Sequence, residues 1–324
     1  MKAVSIQRYG PPEVLQVTEV KKPSPQEDEV LIKVHESIVT PADCAFRKAD
    51  PVIIRFFNGL WRPKNLVLGV EFAGIVEAVG TKVTQFSVGD RVFGSTAPKT
   101  GAHAEYVCIP ESGVVVSLPA QVSFSESVGI CDGGMTAYTF LKEECEIKPG
   151  YQVLINGASG SVGSFAVQLA KEMGTEVTGV CSTANTELVK SFGADHVIDY
   201  TSSDFTQTPS TYDIIFDAVG KSSFARCKRA LKPTGVYLTT VPTLSGIMQM
   251  VWTKMVGKKK AKFAATGLKQ TKEKLQYLLQ MCEQGKIRSM IDRRYSLEEV
   301  VTAHRYVETG RKKGNVILSI YESK

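Results

Sequence analysis

Between an apolar run and a helical pattern, the segment Asn156-Gly-Ala-Ser-Gly-Ser-Val-Gly163 sets glycines at 157, 160 and 163. Each missing side chain has a use. Gly157 permits a tight turn out of the strand Val153–Ile155, and Gly160 lets the backbone come close to a ligand. Gly163 lets the next helix, marked by Phe165, Ala166, Leu169 and Ala170, lie on that strand. Ser159, Ser161, Val162 and their neighbours then offer backbone N–H groups at the positive end of the helix dipole. The ligand that suits this loop is a dinucleotide pyrophosphate. Three glycines alone are a weak signal; the strand before them and the helix after them make it a strong one.

The end of the following strand bears on which dinucleotide. An acid about 20 residues beyond the loop commonly binds the ribose hydroxyls of NAD. Here the chain reads Cys181-Ser-Thr-Ala-Asn185, and the next carboxylate is Glu187. A carboxylate would repel a 2′-phosphate, whereas short hydroxyl and amide side chains hydrogen-bond one. Ser182, Thr183, Asn185 and Tyr200 are the candidates, and NADPH is the expected cofactor. Ser182 and Thr183 also suit a helix cap, and the two roles are compatible. Ala184 and Asn185 occupy the place where Arg or Lys would be the natural phosphate partner.

The elements that must hold these residues alternate. Strands are predicted at 176–181, 196–200, 212–218, 236–240 and 262–265, with helices at 185–192 and 222–231 between some of them. That order implies an α/β fold, a doubly wound parallel sheet with helices on both faces. The first 120 residues differ. Short strands at 2–7, 14–20, 29–37, 70–79, 91–93, 105–109 and 114–117, with Pro and Gly between them, suggest a partly open β-barrel. A helix over 124–144 leads into the glycine loop. After it come a helix at 272–284, an extended stretch at 288–295, a helix at 297–309 and a strand at 315–320. Ser296 and Glu299 form a capping box for the last of these helices. The domain division that follows is 1–122 with 284–324, and 123–283.

The 324 residues suffice for two cores, and a net charge of +6 suits an anionic cofactor without calling for nucleic acid. Seven cysteines, odd in number, dispersed and without a CxxC pair, read as reduced thiols of a cytoplasmic protein. No signal-peptide core or membrane-length apolar run is present in the sequence.

Taken in order and spacing, several segments resemble the medium-chain dehydrogenase/reductase superfamily, in its zinc-free quinone oxidoreductase branch. They include Leu68-Gly-Val-Glu-Phe-Ala-Gly74, Val88-Gly-Asp-Arg-Val-Phe93, Asn156–Gly163, Gly193-Ala-Asp-His-Val-Ile-Asp-Tyr200, Asp217-Ala-Val-Gly220 and Gly314-Asn-Val-Ile-Leu318. The resemblance implies a GroES-like barrel bearing most of the catalytic surface, a Rossmann domain inserted in it, and a homodimer. It places the zinc ligands of alcohol dehydrogenases near Thr40, at Val70, and near Cys131 or Asp132. An aliphatic side chain cannot coordinate a metal, and one ligand does not make a site. The four clustered cysteines of a structural zinc are also missing, with Cys108 alone near their region. No metal is expected.

A simple alcohol needs a Lewis acid to help its proton leave, while an activated C=C bond or a quinone needs only donors for the oxygen that gains charge. The expected function is therefore NADPH-dependent hydride transfer to a quinone or an α,β-unsaturated carbonyl. Alcohol or aldehyde oxidoreduction, enoyl-thioester reduction, and a cofactor-binding regulator or RNA-binding protein with little turnover are the alternatives. The resemblance puts Thr40 and Thr136 beside the nicotinamide, with Asp43 orienting Thr40 or Arg47. Thr40 before Pro41 equally reads as a helix cap with Asp43 in the first turn. His103 and Tyr106 read as buried, satisfied side chains, and Glu71 as structural. Val219-Gly220, Thr240-Val241 and Gly314-Asn315 resemble loops that close on the cofactor. The segment 247–260 joins apolar bulk to lysines. It reads first as a buried helix with a solvated basic end, then as a lid whose Met248, Met250 and Trp252 shape an apolar substrate pocket, or as a surface touching a membrane or partner.

Overall fold

Alternation of apolar and polar residues in the first 117 positions builds strands with one buried face. The computed structural model describes residues 1–321 apart from Asn65 and Pro242. They form two compact units, one of residues 1–132, 270–283 and 289–324, the other of 133–269 and 284–288. In the first unit β1 (Lys2–Ser5) pairs antiparallel with β2 (Gln16–Glu19). Next come β3 (Glu29–Ile38), α1 (Pro41–Lys48), α2 (Ile54–Asn58), β4 (Glu71–Val79), β5 (Arg91–Ser95), β6 (Tyr106–Pro110) and β7 (Val114–Ser117). β3 is the spine, pairing with both β4 and β6, and β5 joins β4 to β7. Its inward Val30, Ile32 and Val34 pack with Phe72, Val76 and Val92.

A single helix was expected over 124–144. The chain instead alternates α3 (Phe124–Gly129), a π-turn (Ile130–Gly134), α4 (Met135–Tyr138) and a second π-turn (Thr139–Glu144). The first widening coincides with Gly133 and Gly134, where no side chain resists it. A Cβ on Gly133 would also lie 2.5 Å from Ser161 Oγ and 2.9 Å from the Phe165 ring.

The second unit contains β8 (Gln152–Asn156), α5 (Ser161–Glu172), β9 (Glu176–Cys181), α6 (Thr186–Ser191), β10 (His196–Asp199), β11 (Tyr212–Asp217), α7 (Phe224–Cys227), β12 (Leu231–Thr239), α8 (Leu244–Met255) and β13 (Lys260–Phe263). The sheet runs β10-β9-β8-β11-β12-β13, and every pairing is parallel. The winding direction reverses between β8 and β11. The carboxyl ends of those strands are therefore the switch point at which doubly wound sheets take ligands.

Two expectations for this unit are corrected. The helix predicted at 222–231 is the single turn α7, and Leu231 already pairs with Tyr212 in the sheet. Pro233 cannot extend a helix, and a bulge between Tyr212 and Ile214 absorbs the early strand start. The segment read as a buried helix is α8, and Thr253 is its one buried residue.

The chain then returns to the first unit with α9 (Lys272–Glu283), β14 (Ile291–Ser296), α10 (Val300–Glu308) and β15 (Asn315–Ser319). The Ser296–Glu299 capping box forms as read. β15 pairs parallel with β14 and antiparallel with β3. α9 groups with the first unit, where Lys272 Nζ donates to Gln85 Oε1 at 2.7 Å and Gln121 Nε2 to Glu283 Oε1 at 3.1 Å. The sequence division stood at residues 122 and 284; by contacts the first unit runs to Asp132.

Candidate functional site

In the second unit the glycine loop leaves β8 at the switch point. Gly157 has φ +81°, and its N–H donates to Val180 O at 3.0 Å, tying the loop to β9. A Cβ on Gly163 would stand 2.1 Å from Gly157 O, so only glycine lets α5 begin this close to the loop. At Gly160 the same Cβ would meet nothing nearer than Gly157 O at 3.4 Å. It would point into open space. Gly160 is the N-cap of α5 and no side chain caps that terminus. The backbone N–H groups of the first turn, with Ser161 and Val162, are what a pyrophosphate fits. Ser159 lies beside the cradle and accepts from Asn185 Nδ2 at 3.2 Å.

Around the end of β9 the structure gathers Ser182, Thr183, Asn185 and Tyr200. Asn185 Nδ2 also donates to Ser182 Oγ at 3.3 Å, and Tyr200 N–H reaches Cys181 O at 3.1 Å. Asn185 Oδ1 is buried with no hydrogen-bond partner, a polar atom awaiting a donor. One carboxylate was missed. β10 pairs Asp199 with Cys181, and Asp199 Oδ2 accepts the Thr183 hydroxyl at 2.5 Å. Hydrogen bonds from Thr183 and Thr201 hold that carboxyl below its usual range. Looking for an acid along β9 alone could not find it, since it arrives from the neighbouring strand.

On the other side of the switch point, Asp217 ends β11 fully buried. Its carboxylate accepts from Asn156 Nδ2 at 3.0 Å, Ser222 N–H at 2.7 Å and the Tyr237 hydroxyl at 3.0 Å. This network fixes the loop holding Val219 and Gly220. The Val219 side chain stands where a Cβ on Gly157 would be, 2.4 Å from its Cγ1. Gly220 has φ +65°, and a Cβ there would meet Val241 at 2.5 Å. Thr240 N–H donates to Asp217 O at 3.3 Å. Thus Gly157, Val219, Gly220, Thr240 and Val241 come together, and Asp217 with Asn156 is the positioning pair the sequence reading did not single out. Thr136, in α4 packed on α5, is buried, and its hydroxyl donates to Thr266 Oγ1 at 3.3 Å. Met250 is set apart from Met248 and Trp252. Met250 turns toward a recess of about 30 Å³ that it lines with Gly220 and Tyr237, while Met248 and Trp252 are exposed.

Thr40, Asp43, Gly314 and Asn315 belong to the first unit. Thr40 caps α1: its Oγ1 accepts from Asp43 N–H at 3.1 Å and donates to Asp43 Oδ2 at 2.7 Å. The capping reading of that pair is thus seen directly, and Asp43 holds the hydroxyl proton. Gly314, with φ +68°, faces Met290 O at 2.2 Å from its absent Cβ. Asn315 Nδ2 donates to Ser289 Oγ and Met290 O, both at 3.1 Å, so its side chain braces this unit. His103 is buried and its Nε2 lies 2.8 Å from Ile38 O.

An acidic group stands near these residues. Glu71 is buried and its Oε2 has no hydrogen-bond partner. Burial, then the charges of Asp132 and Asp43, raise its carboxyl well above the ordinary range. Burial likewise raises Asp132 to about 6, against the pull of Lys312. Lys312 is lowered by burial, and its Nζ donates to Gly314 O at 2.7 Å.

Comparison with known proteins agrees with this architecture. Residues 26–151 match the alcohol dehydrogenase GroES-like domain, and residues 192–318 the zinc-binding dehydrogenase family. The 2-methylene-furan-3-one reductase of Solanum lycopersicum is 32% identical over 98% of this chain and 79% of its own length. The chain belongs to the medium-chain dehydrogenase/reductase superfamily, in its quinone oxidoreductase-like branch. The quinone oxidoreductase of Coxiella burnetii superposes with a TM-score of 0.88 at 31% identity, covering 99% of each chain. The Escherichia coli quinone oxidoreductase complexed with NADPH superposes with a TM-score of 0.84 at 26% identity, covering 99% of this chain and 100% of that one.

Two further features bear on the chemistry of this chain. Among the described residues no group of three or more His, Cys, Asp or Glu side chains could hold a metal ion. All seven cysteines are free. Burial raises every one of their thiol pKa values, to about 12 for Cys44 and Cys145 and about 11 for Cys108, Cys227 and Cys282.

Proposed function

We propose that the protein is an NADPH-dependent oxidoreductase that reduces quinones or α,β-unsaturated carbonyls. The observation that carries this reading is the cradle at Gly157–Gly163. It has an uncapped helix terminus, an open Cβ direction at Gly160, and the Val219–Gly220 loop held against it by Asp217. Relatives named as reductases of a furanone and of quinones supply the substrate class. When bound, NADPH supplies the hydride.

The chain's own residues do the rest. The first turn of α5 would hold the pyrophosphate. Ser182, Asn185 and Tyr200 would face the 2′-phosphate, with Asp199 opposing it and limiting the preference over NADH. Thr136 would line the nicotinamide. Thr40 is a positioning group through its capping bond to Asp43. The reading extends to a homodimer acting in the cytoplasm, which sedimentation and fractionation would test.

Purified protein assayed with NADPH and NADH against a quinone, an alkenal, an enoyl thioester and a primary alcohol tests the proposal. Turnover of the quinone or alkenal with NADPH supports it. Turnover of the alcohol or thioester alone, or RNA retention without turnover, overturns it.

A further inference from the structure

The strand order of the second unit divides a dinucleotide in two. Ser182, Asn185 and Tyr200 gather at the carboxyl end of β9, on one side of the switch point. A pyrophosphate on the first turn of α5 therefore sends the other half of the cofactor over β11, β12 and β13. Side chains at the carboxyl ends of those strands are the ones that the reacting ring and its acceptor meet.

α4 leads in that direction. A Cβ added to Gly133 would lie 2.5 Å from Ser161 Oγ, at the start of α5. Thr136 follows three residues later, about one helical turn along the same face. Its hydroxyl donates to Thr266 Oγ1 at 3.3 Å. Thr266 opens a single turn, Thr266–Leu268, just past the end of β13. Leu268 N–H donates to Ala265 O at 3.0 Å and Lys269 N–H to Thr266 O at 2.9 Å. The turn is fastened on both flanks to one residue of the second π-turn. Lys262 Nζ donates to the Glu144 carbonyl, and Lys269 pairs with the Glu144 carboxylate.

The sense of its hydrogen bond distinguishes Thr266 from the hydroxyls around it. Thr136 gives its proton to Thr266, Tyr237 to Asp217, Thr183 to Asp199 and Thr239 to Val241 O. In the first unit the Thr40 proton is held by Asp43. Thr266 accepts, and among the described residues no group takes its own proton. Ser159 and Ser182 keep theirs too, but both bond Asn185 beyond β9, on the other side of the switch point. A hydroxyl that accepts one bond is polarised toward giving the next. Thr266 is half-buried, so a ligand oxygen can reach it.

Hydride transfer needs such a donor. As an enone takes hydride at its β-carbon, a C–H bond forms there and the C=C π pair moves into the bond between the α-carbon and the carbonyl carbon. The C=O π pair moves onto the oxygen. The acceptor has then gained two electrons from NADPH and is an enolate, and water protonates its α-carbon. A quinone gathers charge on its oxygen in the same way, and a fixed donor aimed at that oxygen lowers the barrier. Resting on the reading of the protein as an NADPH-dependent reductase, we propose that the Thr266 hydroxyl donates a hydrogen bond to the acceptor oxygen that gains charge. Thr266 keeps its proton throughout, and Thr136 and Glu144 are positioning residues that hold it.

The test replaces Thr266 with Val, which keeps the shape and removes the hydroxyl, and with Ser, which keeps the hydroxyl. Each protein is assayed with NADPH against a quinone and an enone, and is titrated with NADPH by fluorescence. Thr266→Val should lower kcat and kcat/KM together by about 100-fold, as for one lost oxyanion donor, while the NADPH dissociation constant holds. Thr266→Ser should retain most of the parent kcat. A Val variant within ~3-fold of the parent kcat, or an equal loss in Val and Ser, overturns the proposal. So does a raised NADPH dissociation constant in the Val variant, which would assign the hydroxyl to the cofactor. A parent that turns over neither acceptor sinks the reductase reading itself, whereas an active parent with a fully active Val variant sinks the donor alone.

Discussion

Asp217→Asn should weaken cofactor binding through the Val219–Gly220 loop that its carboxylate holds. The carboxylate is fully buried and accepts from Asn156 Nδ2, Ser222 N–H and the Tyr237 hydroxyl. Burial, reinforced by the Asp217 charge, keeps the Tyr237 phenol protonated and donating. An amide at 217 retains one accepting oxygen and turns an NH₂ toward a donor. Tyr237 can rotate to accept, and Asn156 can reverse its amide, but a backbone N–H cannot change sense. Ser222 N–H, or the weaker partners Val219 and Lys221 N–H, is left without an acceptor. An orphaned buried donor costs about 1–3 kcal/mol and the lost charge-assisted bond adds a similar amount, so about 3 kcal/mol is expected in total. At roughly 2–4 °C per kcal/mol the melting temperature falls by about 9 °C. The released Val219–Gly220 loop should also raise the NADPH dissociation constant at least ~10-fold. Scanning calorimetry and NADPH fluorescence titration read the two effects. A melting temperature within ~2 °C of the parent together with unaltered NADPH affinity would refute the positioning role.

Further outcomes follow from the same geometry. Gly160→Ala should keep the parent melting temperature and lose NADPH affinity, because its Cβ enters only the phosphate space. Gly163→Ala should lower both, since its Cβ would lie 2.1 Å from Gly157 O; equal behaviour of the two in titration and melting would contradict the cradle. Asp199→Asn removes the negative charge beside Thr183 and should raise the NADPH-to-NADH ratio of kcat/KM several-fold, and a ratio that stays put or drops would count against the 2′-phosphate site. For Asp132 the folded pKa near 6 exceeds the ordinary 3.8. Its protonated form is thus favoured by folding, and the stability it contributes is complete below about pH 4 and lost as pH rises to about 6. Asp132→Asn should accordingly gain up to roughly 3 kcal/mol at neutral pH, an upper bound because the side chain is partly exposed. Scanning calorimetry of parent and variant at neutral pH checks the gain, and a variant that melts at or below the parent temperature would contradict a carboxyl strained by burial.

The parallel sheet and the glycine loop were legible because both are local. Val153–Ile155 and the helix beyond Gly163 announce themselves within a few residues, and the strand Glu176–Cys181 emerged with its predicted bounds. Pairings made across the sheet were not legible. Asp199 reaches Thr183 only through the register of β10 on β9, and Asp217 reaches Asn156 only because β11 lies beside β8. The π-turns around Gly133 escaped because a widened helix keeps the same residue pattern. α8 misled for a physical reason. Its apolar residues have the periodicity of a buried face, and periodicity states which residues share a side without stating what that side meets.

The thiols offer a last consequence. Quinones and enones are themselves alkylating agents, and the species they attack is the thiolate. With a pKa near 11, a cysteine such as Cys108 or Cys282 is ionised in only about one molecule in ten thousand at pH 7. An enzyme that meets reactive acceptors at every turnover thus carries seven sulfurs held in their least nucleophilic form. It should survive prolonged exposure to compounds that inactivate proteins with accessible, acidic thiols.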